Sequence, residues 1–379
     1  MVDLASVIRP GDGLLWGQAC AEPCTLVEAL LEQRSALAGC SVFLGSSFSK
    51  LVTPAHADHL RLSGYCGTGS NRALADAGVL EILPVPYSQL GALIASKRIR
   101  CDVAMVQVSP PNARGEYSLG LGVEYLAEAL RVSRAVIAEV NDQVPWTHTE
   151  PLLHEKDFAL KVEVSRPPVQ LESPAPGAIG DEIARRAMPF IPEGATIETG
   201  IGALPNAVLS ALAGRRDLRI HTGAICDGVV DLNPRLCVGG ALMGTQRLFD
   251  WARENPSLRL RSSDYTHGAA TLGRIERFVA INSAVQVDLT GQVNGEVARG
   301  SYVGAVGGAL DFVRAANQSP GGVSITAVPS SRIVKKLSGP VSVPRSEAGV
   351  IVTERGAADL RGCSLRERER RMRAISGSS

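Results

Sequence analysis

Short, unbroken apolar runs alternate with amphipathic stretches along this chain, and that rhythm constrains its fold more than any other feature. Ser41–Leu44, Asp102–Val108 and Ala135–Val140 carry hydrophobic side chains at consecutive positions rather than at every second one. A strand of that kind has no polar face for water, so it belongs in a parallel sheet covered on both sides. Gly13–Gly17 and Glu81–Val85 read as further strands, with helices expected at Leu26–Gln33, Gln89–Ser96 and Val123–Arg131. Thr25 stands where its hydroxyl would cap the first of these helices.

Ser165–Gly177 interrupts the rhythm with four prolines in 13 residues, which favours an extended path. A second set of elements follows: helix Ala178–Met188, strand Ala195–Thr199, helix Asn206–Ala213 and strand Leu218–His221. Later strands are expected at Phe278–Asn282, Ser324–Val328 and Gly349–Thr353. The expected fold class is α/β, with two tandem open α/β domains built on mainly parallel sheets. They would span residues 1–164 and 178–379, joined by a linker at 165–177. A length of 379 residues suits two such cores.

The formal net charge is +1 and the charges are mixed, so no basic face points to nucleic acid. The Arg-rich end, Arg366–Arg373, reads as a solvated terminal helix. Eight scattered cysteines form no C-x-x-C pair, and no run reaches the roughly 18 apolar residues of a membrane span. Reduced thiols and a cytoplasmic location are expected, with no membrane partner. His56 with His59, and His148 with His154, lack the added ligands of a metal site, so no metal is expected.

Three blocks have the character of a ligand site. In Gly200-Ile-Gly-Ala-Leu-Pro205 a strand ends, glycines turn the chain, and Pro205 suits the first position of a helix. Free N–H groups there would receive a phosphate or a thioester oxygen, or the block is a plain strand-helix corner. Gly304-Ala-Val-Gly307-Gly308-Ala-Leu-Asp311-Phe312 has paired glycines that let a ligand approach the backbone, or that form a bulge. Between these blocks lies His221-Thr-Gly223-Ala-Ile-Cys226-Asp227-Gly228.

Taken in order, these blocks resemble the acetyl-CoA hydrolase/CoA-transferase family, which includes 4-hydroxybutyrate and succinyl-CoA:acetate CoA-transferases. Ala21-Glu-Pro23, Glu139-Val-Asn-Asp-Gln-Val-Pro145, Asp288-Leu-Thr-Gly-Gln-Val-Asn294 and Val352–Gly362 match further blocks of its pattern. The resemblance implies a site between two tandem domains, acyl-CoA as small-molecule substrate, and a homo-oligomer. It implies CoA contacts at Gly200, Gly202, Ala203, Gly304, Gly307 and Gly308. The Gly308 N–H would face the thioester oxyanion, where one donor is worth about 3 kcal/mol.

The family reads H-[ST]-E-x-x-x-D-G, its glutamate being the nucleophile that carries CoA. This chain has Gly223 there, which rules out an acyl-glutamyl or glutamyl-CoA intermediate at that position. The family's supporting asparagine in D-Y-x-N is expected at Thr266 of Asp264-Tyr-Thr-His267. Glu354 matches a glutamate that contacts the nucleophile, and becomes the candidate general base. Cys226 is a candidate nucleophile, Asp227 a turn former, Glu198 a candidate cleft residue, and His221 and His267 candidate aids. The expected function is processing of acyl-CoA without a glutamyl-CoA intermediate, by thioester hydrolysis or by decarboxylation or C–C cleavage. The alternatives are a conventional transferase in which Gly223 is an engineered change, or a CoA-ester binding protein.

Overall fold

A computed structural model describes residues 2–175 and 177–377; Pro176, inside the expected linker, lies outside the described residues. The first seven strands form one parallel sheet, ordered in space Leu80–Ile82, Arg61–Gly64, Ser41–Leu44, Gly13–Trp16, Val103–Val108, Ala135–Asn141, Leu160–Val164. Leu14, Trp16, Val42, Val103 and Met105 enter one apolar cluster, whereas their neighbours Leu15, Phe43, Ala104 and Val106 enter another. That two-sided burial explains why the apolar runs are continuous.

A second sheet runs Leu258–Leu260, Cys237–Gly239, Arg219–His221, Thr196–Thr199, Phe278–Ser283, Val323–Ala327, Val350–Thr353, Gly356–Asp359. Its first seven strands are parallel, and the last turns back antiparallel on its neighbour. Each sheet reverses its strand order once. The reversal lies between Gly13–Trp16 and Val103–Val108 in the first sheet, and between Thr196–Thr199 and Phe278–Ser283 in the second. Crevices outside the carboxyl ends of strands at such points are where open α/β sheets bind ligands.

Several expectations shift. The helix assigned to Leu26–Gln33 begins at Cys24, so Thr25 lies inside its first turn and is not the cap. Instead the Glu139 carboxylate accepts from the N–H groups of Thr25 and Leu26 at 2.8 and 3.1 Å. A carboxylate there satisfies free donors and faces the positive end of the helix. Glu139→Ala is expected to lower stability to urea by about 1–3 kcal/mol; an unchanged unfolding midpoint would refute that role. The helix expected at Val123–Arg131 spans Leu126–Val132, because Glu124 has a left-handed φ of 44° that no helix accommodates. Pro205 is the third residue, not the first, of helix Ala203–Ala211.

Two matched blocks are frameworks for loops. Buried Glu22 accepts from Phe48 N–H, Ser49 N–H and the hydroxyls of Ser47 and Ser49, at 2.6 to 3.1 Å. Asp288 gathers the N–H and hydroxyl of Thr290 and both donors of Gln292, while Gly291 takes a φ of +92°. The Arg-rich end is a helix, Leu365–Ile375, whose Arg370, Arg371 and Arg373 pair with Glu367 and Glu369. Among the described residues no helix is long and apolar enough to cross a membrane.

Candidate active site

The two crevices face each other across a cavity of about 180 Å³. The chain stitches its walls together. Tyr87 N–H donates to Gly307 O at 3.0 Å, Gly67 N–H to Gly304 O at 2.8 Å, and Val123 N–H to Gly240 O at 2.9 Å. Ser88 Oγ donates to Asp311 Oδ1 at 2.8 Å.

From the first sheet come Gln18, just beyond strand Gly13–Trp16, with Ser46, Tyr65, Tyr87 and Glu124. Gln18 organises them. Its Nε2 donates to Glu124 Oε2 at 2.7 Å and to the Tyr87 hydroxyl at 2.9 Å. Its Oε1 accepts from Tyr65 OH and from Ser46 N–H, both at 2.8 Å. Burial outweighs these bonds and pushes the Glu124 carboxyl up to about 7.

From the second sheet come Glu198, Thr199 and Gly200 at the end of one switch strand, and Asn282 from the other. Asn282 Nδ2 donates to Glu198 Oε2 at 2.8 Å. Burial pushes the Glu198 carboxyl up to about 8. Gly307 and Gly308 line the same cavity, and Gly308 opens helix Ala309–Gln318, whose first N–H groups have no partner inside the helix.

Between Gly223 and Gly308 lies the ring of His267. A Cβ at Gly223 would stand 3.0 Å from both Cε1 and Nε2 of that ring, and one at Gly308 would stand 2.4 Å from Nε2. Tyr87 and Phe312 flank the imidazole, with ring centroids 4.7 and 4.5 Å away. Its Nδ1 lies 2.8 Å from Thr266 Oγ1. Burial, reinforced by neighbouring His221, pushes the ring's pKa down to about 3, so it is neutral at physiological pH.

This constellation can be set beside known proteins. Residues 1–160 match the acetyl-CoA hydrolase/transferase N-terminal domain, and residues 244–379 match the C-terminal domain. The chain is 33% identical to the 4-hydroxybutyrate coenzyme A transferase of Clostridium kluyveri, over 96% of this chain and 91% of that protein. It belongs to the acetyl-CoA hydrolase/transferase family. Its fold is close to that of RipA from Yersinia pestis, at 30% identity and a TM-score of 0.93, covering 98% of this chain and 92% of that one. The 4-hydroxybutyrate CoA-transferase of Porphyromonas gingivalis superposes with a TM-score of 0.81 at 29% identity, with the same coverages.

Of the residues singled out from the acetyl-CoA hydrolase/transferase pattern, Gly200, Gly223, Gly307 and Gly308 meet at the cavity, joined by Glu198 and His267. Glu354 does not reach it: its carboxylate accepts from the N–H of Ser330 at 2.8 Å and from the Ser330 hydroxyl. Its strand, Val350–Thr353, lies two places from the switch strand, which carries the glutamate off the crevice. Cys226 also lies outside the lining. Its thiol donates to Asn206 Oδ1 at 2.9 Å, and burial pushes it up to about 11, so little thiolate forms at neutral pH.

Gly202, Ala203 and Gly304 do not line the cavity either. Gly304 serves close packing instead, since a Cβ there would meet Gly295 O at 2.0 Å. Asp227 braces a turn through the N–H and hydroxyl of Thr245. The D-Y-x-N pattern, counted from Asp264, ends on His267, and it is His267 rather than Thr266 that borders Gly223. Gln18, Tyr87, Glu124 and Asn282 had not been singled out. Glu124 had one legible signal, a lone acid inside the apolar run Leu119–Leu126. Among the described residues no group of three or more His, Cys, Asp and Glu is arranged to hold a metal.

Because Gly308 abuts the His267 ring, Gly308→Ala is expected to push the ring aside and slow acyl-CoA turnover by about 10²-fold. Steady-state kinetics on the folded variant would check it, and a rate equal to the parent's would show that the contact is immaterial.

Proposed function

We propose that this enzyme hydrolyses an acyl-CoA thioester by direct attack of water, without a glutamyl-CoA intermediate. The observation that carries the reading is that position 223 has no side chain, while two carboxyl groups that titrate near neutrality share its cavity. A base is most useful with a pKa near the working pH, and Glu124 suits that role. Glu198, with the higher pKa, suits the acid. Pairs of carboxyls in unequal environments commonly divide such work.

Water's oxygen bonds to the carbonyl carbon, and one of its protons passes to Glu124. Charge gathers on the carbonyl oxygen, for which the Gly308 turn and the first N–H groups of helix Ala309–Gln318 are the candidate donors. The C–S bond then breaks, and Glu198 gives its proton to the departing CoA sulfur. A small cavity suits a short acyl chain.

The test is CoA thiol release over a panel of acyl-CoAs, with and without acetate, alongside mass spectrometry of the products. Release by water alone is the expected result. Acetate-dependent exchange with ping-pong kinetics would overturn the reading, as would loss of CO₂ in place of hydrolysis. CoA-ester binding with no turnover would leave a binding protein instead.

A further inference from the structure

Imidazole and glycine share one volume in this site. The 3.0 Å approach of the His267 ring to the Cβ position of Gly223 is tighter than most side-chain contacts, so any larger residue at 223 requires the ring to give by a few tenths of an ångström. The ring has little freedom to move, packed between Tyr87 and Phe312 and tied to Thr266.

That tie also sets its tautomer. Thr266 Oγ1 lies 3.1 Å from Ser262 O, which can only accept, so the hydroxyl proton goes there. With that proton on Ser262 O, the Thr266 oxygen accepts from His267 Nδ1–H, an assignment that leaves Nε2 with a free lone pair. No donor among the described residues reaches Nε2, and His267 is a lining residue of the cavity. The titratable groups that share the cavity wall with the ring are Tyr65, Tyr87, Glu124 and Glu198, and His221 is its electrostatic neighbour.

We infer that His267 determines which acyl acceptor the enzyme uses: its ring excludes a carboxylate side chain at 223, and its Nε2 accepts a hydrogen bond from the water that attacks instead. The inference rests on the hydrolytic reading above and names the residue behind it. During attack the water gives one proton to Glu124 and directs its other hydrogen to Nε2, and His267 finishes neutral as it began.

Four variants of the full chain test this: His267→Ala, His267→Gln, Gly223→Glu, and Gly223→Glu combined with His267→Ala. Hydrolysis and acetate-dependent CoA exchange are measured for each, with CoA binding and thermal melting as checks on folding. His267→Ala should hydrolyse about 10²-fold more slowly, and His267→Gln, which keeps an acceptor oxygen, should recover part of the loss. Gly223→Glu alone should do neither reaction, whereas the double variant should gain exchange with acetate. Full hydrolysis by His267→Ala, or exchange by Gly223→Glu with His267 in place, would overturn the inference. So would a folded, CoA-binding double variant without exchange. If the double variant does not fold, the Ala and Gln variants decide alone. Failure of the parent to hydrolyse any thioester would instead sink the functional reading itself.

Discussion

Glu124→Gln is expected to lower kcat/KM for thioester hydrolysis by about 10²–10⁴-fold and to erase the acidic limb of its pH profile. Glu124 can take a proton from water only when ionised, and burial has raised its carboxyl from 4.5 to about 7. Activity should therefore climb as pH rises through about 7. Glu198 must hold its proton to deliver it to sulfur, so activity should fall above about 8. The parent profile is then a bell, and Glu198→Gln should remove its alkaline side. A profile flat from pH 6 to 9, or a Glu124→Gln protein as active as the parent, would dismiss both assignments.

The same shifts bear on stability, with a definite sign. A carboxyl whose pKa is raised on folding holds its proton in the native state while the unfolded chain has already released its own. The stability it lends is complete below about 4.5 and disappears as pH climbs through the folded value. For Glu198 the penalty at full ionisation is up to about 5 kcal/mol. Glu198→Gln should accordingly resist urea better than the parent at pH 9 and show little difference at pH 5.

Glu22→Ala is expected to lose stability by about 1–3 kcal/mol for each buried donor left without a partner. The buried carboxylate is the common acceptor for the loop Ser47–Ser49, and its removal strands two N–H groups and two hydroxyls. Ser46, next to that loop, lines the cavity and bonds Gln18 through its N–H, so turnover should suffer in whatever protein still folds. Urea unfolding decides the matter: a midpoint within error of the parent's would mean that water satisfies those donors equally well.

The central strands were legible because each buries both faces, which leaves a continuous apolar run. Cys237–Gly239 and Leu258–Leu260, three residues each, were not. The glycine turns at 200 and 307–308, expected to meet a ligand, line one cavity with Gly223. Glu354, expected as the base, lies outside that lining, because strand order, not strand existence, decides which carboxyl ends meet at the crevice. His267 was obscured by a one-residue slip in the D-Y-x-N register. Gln18 and Asn282 carry no local signal; they matter through partners 106 and 84 residues away.

Seven of the eight cysteines are buried, and Cys363 alone is partly accessible. An Ellman-type reagent therefore meets one protein sulfhydryl per native chain, a small fixed blank beneath any liberated coenzyme. Denaturation unmasks the other seven, so the same colour reaction, run without substrate, counts molecules that have come apart.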